Sequence, residues 1–429
     1  MGRGLLAAGA LCVALTLTGN AQAGQAGDLL RDHLYAGTLD DGLAAVTPLA
    51  EAGDPEASFA AGFLTFARAA EELGQDLYRY GATTPGMPAA ALLLGMGANQ
   101  DAMPANPSPE PLTYAALRAV FADFVADLDA AKALLEAGGA SGDYVVTLDP
   151  LQFRMDFDGD GVATETESLG SLLLPLLDMA DISLVPPPLP GHKTKGEPAL
   201  PDTTIGFDRA DALWMAGYSQ VLAAQADFLL AHDFEQFFNV YLHRVFPKSG
   251  LPMQDYAAGG TLMLDAESDA NIADMIAAIH RLDFPVVDSE KLAGVLTRLQ
   301  SITALSRRNW EAILAETDDH RELVPSPRQT SLLPEADVTE ETVTAWLATL
   351  DSVDQILAGE LLIPHWRFKQ GFDLKAYFET AGETDLVMIL TGYGALPFLR
   401  DGPIADAESF AAANRVFGEN ILGYAFWFN

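Results

Sequence analysis

DPEASFAAGFLTFARAAEELGQDLYRYG, residues 54–81, carries the marks of a helix at both ends. Asp54 is a capping residue. Pro55 suits the first helical position, where its missing N–H is one that a helix start leaves unpaired anyway. Phe59, Phe63, Phe66 and Leu73 fall near one face, and Gly81 is a stop after Tyr80. A shorter helix from about Asp41 to Ala52 precedes it and ends at Gly53. The spacing therefore predicts a helical hairpin at 41–80.

The same signals recur along the chain. A helix is expected from about Tyr114 to Ala137, with Phe121, Phe124, Leu128 and Leu135 at helical spacing and Gly138-Gly139 as its stop. Further helices are expected at about 208–231, 233–245, 271–282, 289–317 and 339–358, the last opened by Thr339 with Glu340 and Glu341 in its first turn. Ala82–Leu112 is rich in Pro, Gly and Ala and reads as a long loop. VPPPLPG at 185–191 is the best candidate linker, so the expected layout is an N-terminal helical lobe over 24–185, a linker over 186–204 and a C-terminal lobe over 205–429, either separate from the first or packed with it as one domain. Strand patterns are scarce, and the fold class is mainly α. The joint Leu49-Ala50-Glu51-Ala52-Gly53-Asp54-Pro55-Glu56-Ala57 resembles that of a tetratricopeptide-type hairpin, but no second copy follows at a fixed period.

The 429 residues hold 24 basic and 60 acidic side chains, a formal charge of −36. A surface this negative repels phosphate, which argues against nucleic acid and anionic membranes as partners. Met1–Ala23 has the form of a secretory signal: Arg3, the apolar run Leu5–Leu17, and Ala21-Gln22-Ala23 before Gly24. Cleavage after Ala23 removes Arg3, leaving 23 bases against 60 acids, a net −37. It also removes Cys12, the only cysteine, so the mature chain has no disulfide to rely on. No later run reaches the ~20 apolar residues that a membrane span needs. A periplasmic or secreted protein is expected.

Residues 156–167 read Asp-Phe-Asp-Gly-Asp-Gly-Val-Ala-Thr-Glu-Thr-Glu. Asp156, Asp158 and Asp160 alternate so that three hard oxygens converge. Gly161 takes the sharp turn. Val162 offers a backbone carbonyl, Thr164 a hydroxyl or a bridging water, and Glu167 closes the shell with both oxygens. Five carboxylates in twelve residues, with no base among them, repel one another unless a cation is present. The loop resembles the EF-hand calcium loop at every charged ligand position and at its glycine. That resemblance implies Ca²⁺ as the ligand, with Asp156, Asp158, Asp160, Val162, Thr164 and Glu167 as its holders.

Two departures narrow what the resemblance carries. The eighth position, usually a branched apolar residue paired with a sister loop, is Ala163. The nearest sister candidate, Asp265-Ala266-Glu267-Ser268-Asp269, lacks the glycine and reaches Ile276 where an acid belongs. Pro150 and Pro175 also shorten the flanking segments. A single unpaired loop of this kind implies a structural calcium site rather than a regulatory pair.

Signals for catalysis are thin. The seven histidines (His33, His192, His232, His243, His280, His320, His365) form no metal-ligand spacing, and no serine-nucleophile or phosphate-loop signature occurs. His232, before Asp233, reads as a helix-end histidine. His365-Trp366-Arg367 is a polar-aromatic cluster that suits either a pocket wall or a surface cation–π contact. The aromatics Phe234, Phe237, Phe238, Tyr241 and Phe246 read as core, and the ending Tyr424-Ala425-Phe426-Trp427-Phe428-Asn429 as a docked terminus. The functional expectation is an exported calcium-binding helical protein acting as a binding or scaffold module. The alternative is a periplasmic hydrolase whose helical shell holds an acidic pocket served by His232, His365 or nearby carboxylates. The protein or small-molecule partner is not named by the sequence.

Overall fold

Asp54 caps as its position requires: its side chain accepts hydrogen bonds from Glu56 N and Ala57 N, and Pro55–Arg79 forms a helix of 25 residues. The structure, a computed structural model, describes residues 24–83, 105–172, 202–253, 270–330, 338–418 and 421–428. The signal expected at 1–23, most of the loop expected at 82–112, most of the linker expected at 186–204, Pro175 and the sister candidate at 265–269 lie outside the described residues.

The helices up to residue 357 are α1 Gln25–Ala36, α2 Leu39–Glu51, α3 Pro55–Arg79, α4 Tyr114–Ala140, α5 Arg209–Ala231, α6 Glu235–Tyr241, α7 Ala270–Ile279, α8 Ser289–Ala315 and α9 Glu340–Leu357. After them come α10 Leu374–Thr380, α11 Leu386–Thr391, α12 Ala407–Val416 and α13 Ile421–Phe428. Strands are two or three residues long: β1 Val146–Leu148, β2 Ile205–Phe207, β3 Asp283–Pro285, β4 Ile363–Pro364, β5 Gly371–Phe372, β6 Glu383–Asp385 and β7 Leu399–Arg400. They pair antiparallel as β1 with β2, β3 with β6, and β5 between β4 and β7. The mainly α class expected from the sequence is the class observed.

Packing proceeds in a row, α3 on α4, α4 on α5 and α5 on α8, with α2 against α3. Gly138 and Gly139 correct one expectation. They do not stop α4, which continues to Ala140. They let helices touch: a Cβ on Gly138 would lie 2.8 Å from Phe59 N, and one on Gly139 would lie 2.6 Å from Leu213 Cγ. The last turn of α4 thus meets the first turns of α3 and α5. Paired glycines read as a terminus only when nothing presses on them. The helix expected at 233–245 is also corrected: α6 ends at Tyr241, and Leu242–Arg244 is one tighter turn. The helix expected at 271–282 ends at Ile279, because β3 begins at Asp283 and pairs with β6. Helix α1 and the short strands had no clear sequence signal.

One core holds residues from both sides of the proline-rich segment, from Leu30 and Phe59 through Trp310 to Phe428. The C-terminus is docked as expected. The Phe428 ring lies 4.7 Å from that of Trp310 and 5.7 Å from that of Trp346, with no exposure to solvent. Trp427 Nε1 donates to Leu323 O at 2.9 Å, and Trp214 Nε1 donates to Trp427 O at 2.8 Å. Phe234, Phe238 and Phe246 are buried in a separate cluster with Leu73 and Leu117, also as expected. No helix among the described residues is long and apolar enough to cross a membrane.

Candidate metal centre

The acidic loop is mounted on α3 by backbone contacts. Glu71 Oε2 accepts from Asp156 N at 2.8 Å, and Gln75 Nε2 donates to Asp156 O at 2.7 Å. Phe157 fixes the second position by burying its ring over Gly74, where a Cβ would lie 2.3 Å from Phe157 Cδ1. Glu71, Gln75 and Gly74 sit on one stretch of α3, more than eighty residues before the loop. Nothing in their own segment distinguishes them among so many acids and helical glycines.

The loop itself is wound by its carboxylates. Asp156 accepts from Gly159 N (2.9 Å), Asp160 N (3.1 Å) and Gly161 N (2.8 Å). Asp160 accepts from Val162 N at 2.8 Å. Gly159 and Gly161 have φ of 73° and 89°, the left-handed region where a side chain is strained. Glu167 is buried and reaches back across the loop. Its Oε1 accepts from Phe157 N at 2.9 Å, and its Oε2 from Thr164 N at 2.9 Å and from Thr164 Oγ1 at 2.7 Å.

Of the six residues expected to hold calcium, Asp156, Asp158 and Glu167 bring carboxylate oxygens within 4.8 Å of one another. Asp160 and Thr164 stand in the same loop with their side chains bonded as above. Val162 exposes its side chain, 62%, which leaves its backbone as what it can contribute. Partial burial pushes the Asp158 carboxyl above its ordinary range, and Glu167, Asp160 and Asp156 push it further. Burial likewise lifts Glu71 to about 7, with Asp156 adding to the lift. Burial is the larger cause in both, and the neighbouring carboxylates add repulsion that a divalent cation would relieve.

The flanks differ from a helix–loop–helix unit. A single tight turn at Pro150–Gln152 precedes the loop. Arg154 and Ser168 then form an antiparallel bridge, and Leu169 N donates to Phe153 O at 2.8 Å. The chain is helical again at 169–172. The loop is therefore closed at its base by a scrap of strand pairing. Its small eighth residue also has a partner: a Cβ on Gly37, in the turn between α1 and α2, would lie 2.2 Å from Ala163 Cβ.

Beside the loop, a cleft of about 560 Å³ runs between α3 and α4. Leu73, Val120 and Phe124 supply its apolar wall, and Glu72, Asp76, Asp127 and the loop's Asp158 its charge. Burial raises the Asp127 carboxyl, with Glu72 beside it adding to the effect. Burial raises Asp76 too, although Arg79 pulls the other way.

The histidines considered for catalysis make hydrogen bonds within the fold. His232 ends α5, with Nδ1 2.6 Å from Phe228 O and Nε2 2.7 Å from Thr384 Oγ1, and burial lowers its pKa. His365 Nε2 lies 3.0 Å from Ile389 O. Next to it, Arg367 sits 4.5 Å from the centroid of Trp366, whose ring is 74% exposed, so this cluster is the surface cation–π contact rather than a pocket wall. The chain matches no protein-family model, no curated protein and no solved structure.

Proposed function

We propose that this is an exported calcium-binding helical protein in which calcium is structural, held by Asp156, Asp158, Asp160, Val162, Thr164 and Glu167. The observation that carries this reading is the convergence of the Asp156, Asp158 and Glu167 oxygens within 4.8 Å, on a loop that contains no base. Hard oxygens alone, with a glycine at the sharp turn, suit calcium better than zinc or copper. The ion fastens the segment after β1 to α3 and to the turn between α1 and α2. Extracellular sites of this kind bind in the range of about 10⁻⁴–10⁻³ M, at or below ambient calcium, so the site is mostly filled there and serves stability.

The protein then acts by binding, as a scaffold or solute-recognition module. The cleft between α3 and α4 supports this reading, since it shares Asp158 with the loop and joins an apolar wall to an acidic rim. Its charge favours cationic over anionic solutes. Calorimetric titration of the chain from Gly24 onward tests the calcium reading. One calcium should bind per chain, and none to the Asp156→Ala/Asp158→Ala variant. Heat of equal size in both would reject the site.

A further inference from the structure

A second acidic group, remote in sequence from the calcium loop, lies where the start of α5 meets the chain leaving α8. Asp208 caps α5, accepting from Ala210 N at 2.6 Å, and Asp211 reaches back to accept from Asp208 N at 2.9 Å. Glu316, the residue after α8, comes within hydrogen-bonding reach of the Asp208 carboxylate. Its Oε2 accepts from Gln329 Nε2 at 2.9 Å, while its Oε1 is sealed from solvent and meets no donor. Two neighbouring carboxylates, one of them with a sealed oxygen, cannot both ionise without strong repulsion.

Few of the groups around them are positive: Arg328 Nη2 donates to Leu314 O at 2.7 Å and to Glu316 O at 3.3 Å, backbone oxygens rather than the carboxylates. From the loop after α8 come Asp318, Asp319, His320, Arg321 and the buried Glu322, which accepts from His320 N at 3.1 Å. His320 pairs with Asp318, and Arg321 is turned to Asp202 at 2.9 Å. Arg209 on α5 is exposed, and Tyr144 and Glu56 complete the surroundings from before β1 and from α3.

We propose that Asp208 and Glu316 share a proton and so form a pH-sensitive clasp, which pins the loop at 316–330 to α5 and releases it as the solution turns alkaline. Desolvation, then Asp208, lifts the Glu316 carboxyl to about 9, and desolvation, then Asp208, lifts Glu322 to about 7. Both folded values stand above the ordinary carboxylate range, so the clasp is at full strength below about pH 4.5 and weakens as pH rises through 7 to 9. Release reaches further than the loop. His320 O accepts from Gly206 N in β2 at 3.1 Å, and Leu323 O holds Trp427 of the C-terminal helix. The clasp does not depend on the calcium site.

Hydrogen exchange in calcium-containing buffer tests it, read as protection factors for amides of 316–330 at pH 6, 7 and 8. The parent should lose protection by at least about tenfold per pH unit, one proton on Glu316 held only in the closed form, with Glu322 adding to the slope near pH 7. Glu316→Gln can donate to Asp208 without titrating and should cut that dependence by about tenfold per pH unit, leaving only the share of Glu322. Protection in the parent constant within about twofold would overturn the clasp, as would an equal slope in Glu316→Gln. A slope abolished by added manganese would also overturn it, because a metal rather than a proton would then be the neutralising charge.

Discussion

Ala163 and Gly37 meet in a space that holds one methyl group: a Cβ on Gly37 would lie 2.2 Å from Ala163 Cβ. The loop position that faces a sister loop in paired calcium sites here faces the α1–α2 turn. Gly37 is also the left-handed residue that ends α1, with φ 67°. Gly37→Ala therefore meets both backbone strain and a clash, and should cost about 2–3 kcal/mol in urea denaturation. Ala163→Val adds bulk to the same contact and should cost about 1–3 kcal/mol. Unaltered stability in both would mean that the loop does not seat there.

Glu167 separates metal binding from loop winding. It accepts hydrogen bonds from Phe157 N, Thr164 N and Thr164 Oγ1, and a glutamine keeps one acceptor oxygen while losing the charge. In EGTA, Glu167→Gln should melt close to the parent, within about 1–2 kcal/mol of its stability. In calcium only the parent should gain. A calcium gain of equal size in the variant would remove Glu167 from the ligand set.

How legible all this was depends on whether the cause lay within one segment. Asp54-Pro55, Thr339 and the aromatic spacing of α3 act over three to seven residues, so those helices could be read directly. The winding of 156–167 is equally local, since Asp156 bonds amides three to five residues on. What holds the loop in place is not local. Glu71, Gln75, Gly74 and Gly37 act across the fold, and each looks ordinary in its own segment. Gly138-Gly139 was misread for the same reason: the pressure of Phe59 and Leu213 on those glycines exists only after folding. The Asp208–Glu316 pair likewise needs α5 and α8 to be side by side.

The docked terminus gives a stability test. Phe428 is fully buried between Trp310, Trp346 and Tyr424. Phe428→Ala should cost about 3–5 kcal/mol and alter the intrinsic tryptophan fluorescence, while Phe428→Leu should cost less. A neutral result for Phe428→Ala would mean that the C-terminal helix is not part of the core.

Arg298 joins three helices. Its Nε donates to the buried Asp227 at 2.7 Å, which also takes Lys291 at 2.7 Å, and its Nη1 and Nη2 grip Asp129 at 2.6 and 2.8 Å. Arg298→Ala leaves Asp227 buried with one cation fewer, at an expected cost of about 3 kcal/mol near neutral pH. Burial alone would lift Asp129, but Arg298 and Gln220 outweigh it and hold its pKa below the ordinary value. A lowered folded value gives stability that is present above about pH 4 and lost as pH falls through the folded pKa. The parent should therefore lose more stability than Arg298→Ala between pH 5 and pH 3, as read by urea melts. A larger acid loss in the variant would contradict the assignment.

The central claim is that calcium at 156–167 is a structural fastener. Its most direct measurement is the melting temperature of the chain from Gly24 onward, in excess EGTA and in calcium at about a hundred times the dissociation constant. Binding to the folded form alone is then worth about 2.7 kcal/mol. The account predicts a melt several degrees higher in calcium, a difference that disappears in Asp156→Ala/Asp158→Ala. An unchanged melt in excess EGTA would contradict it.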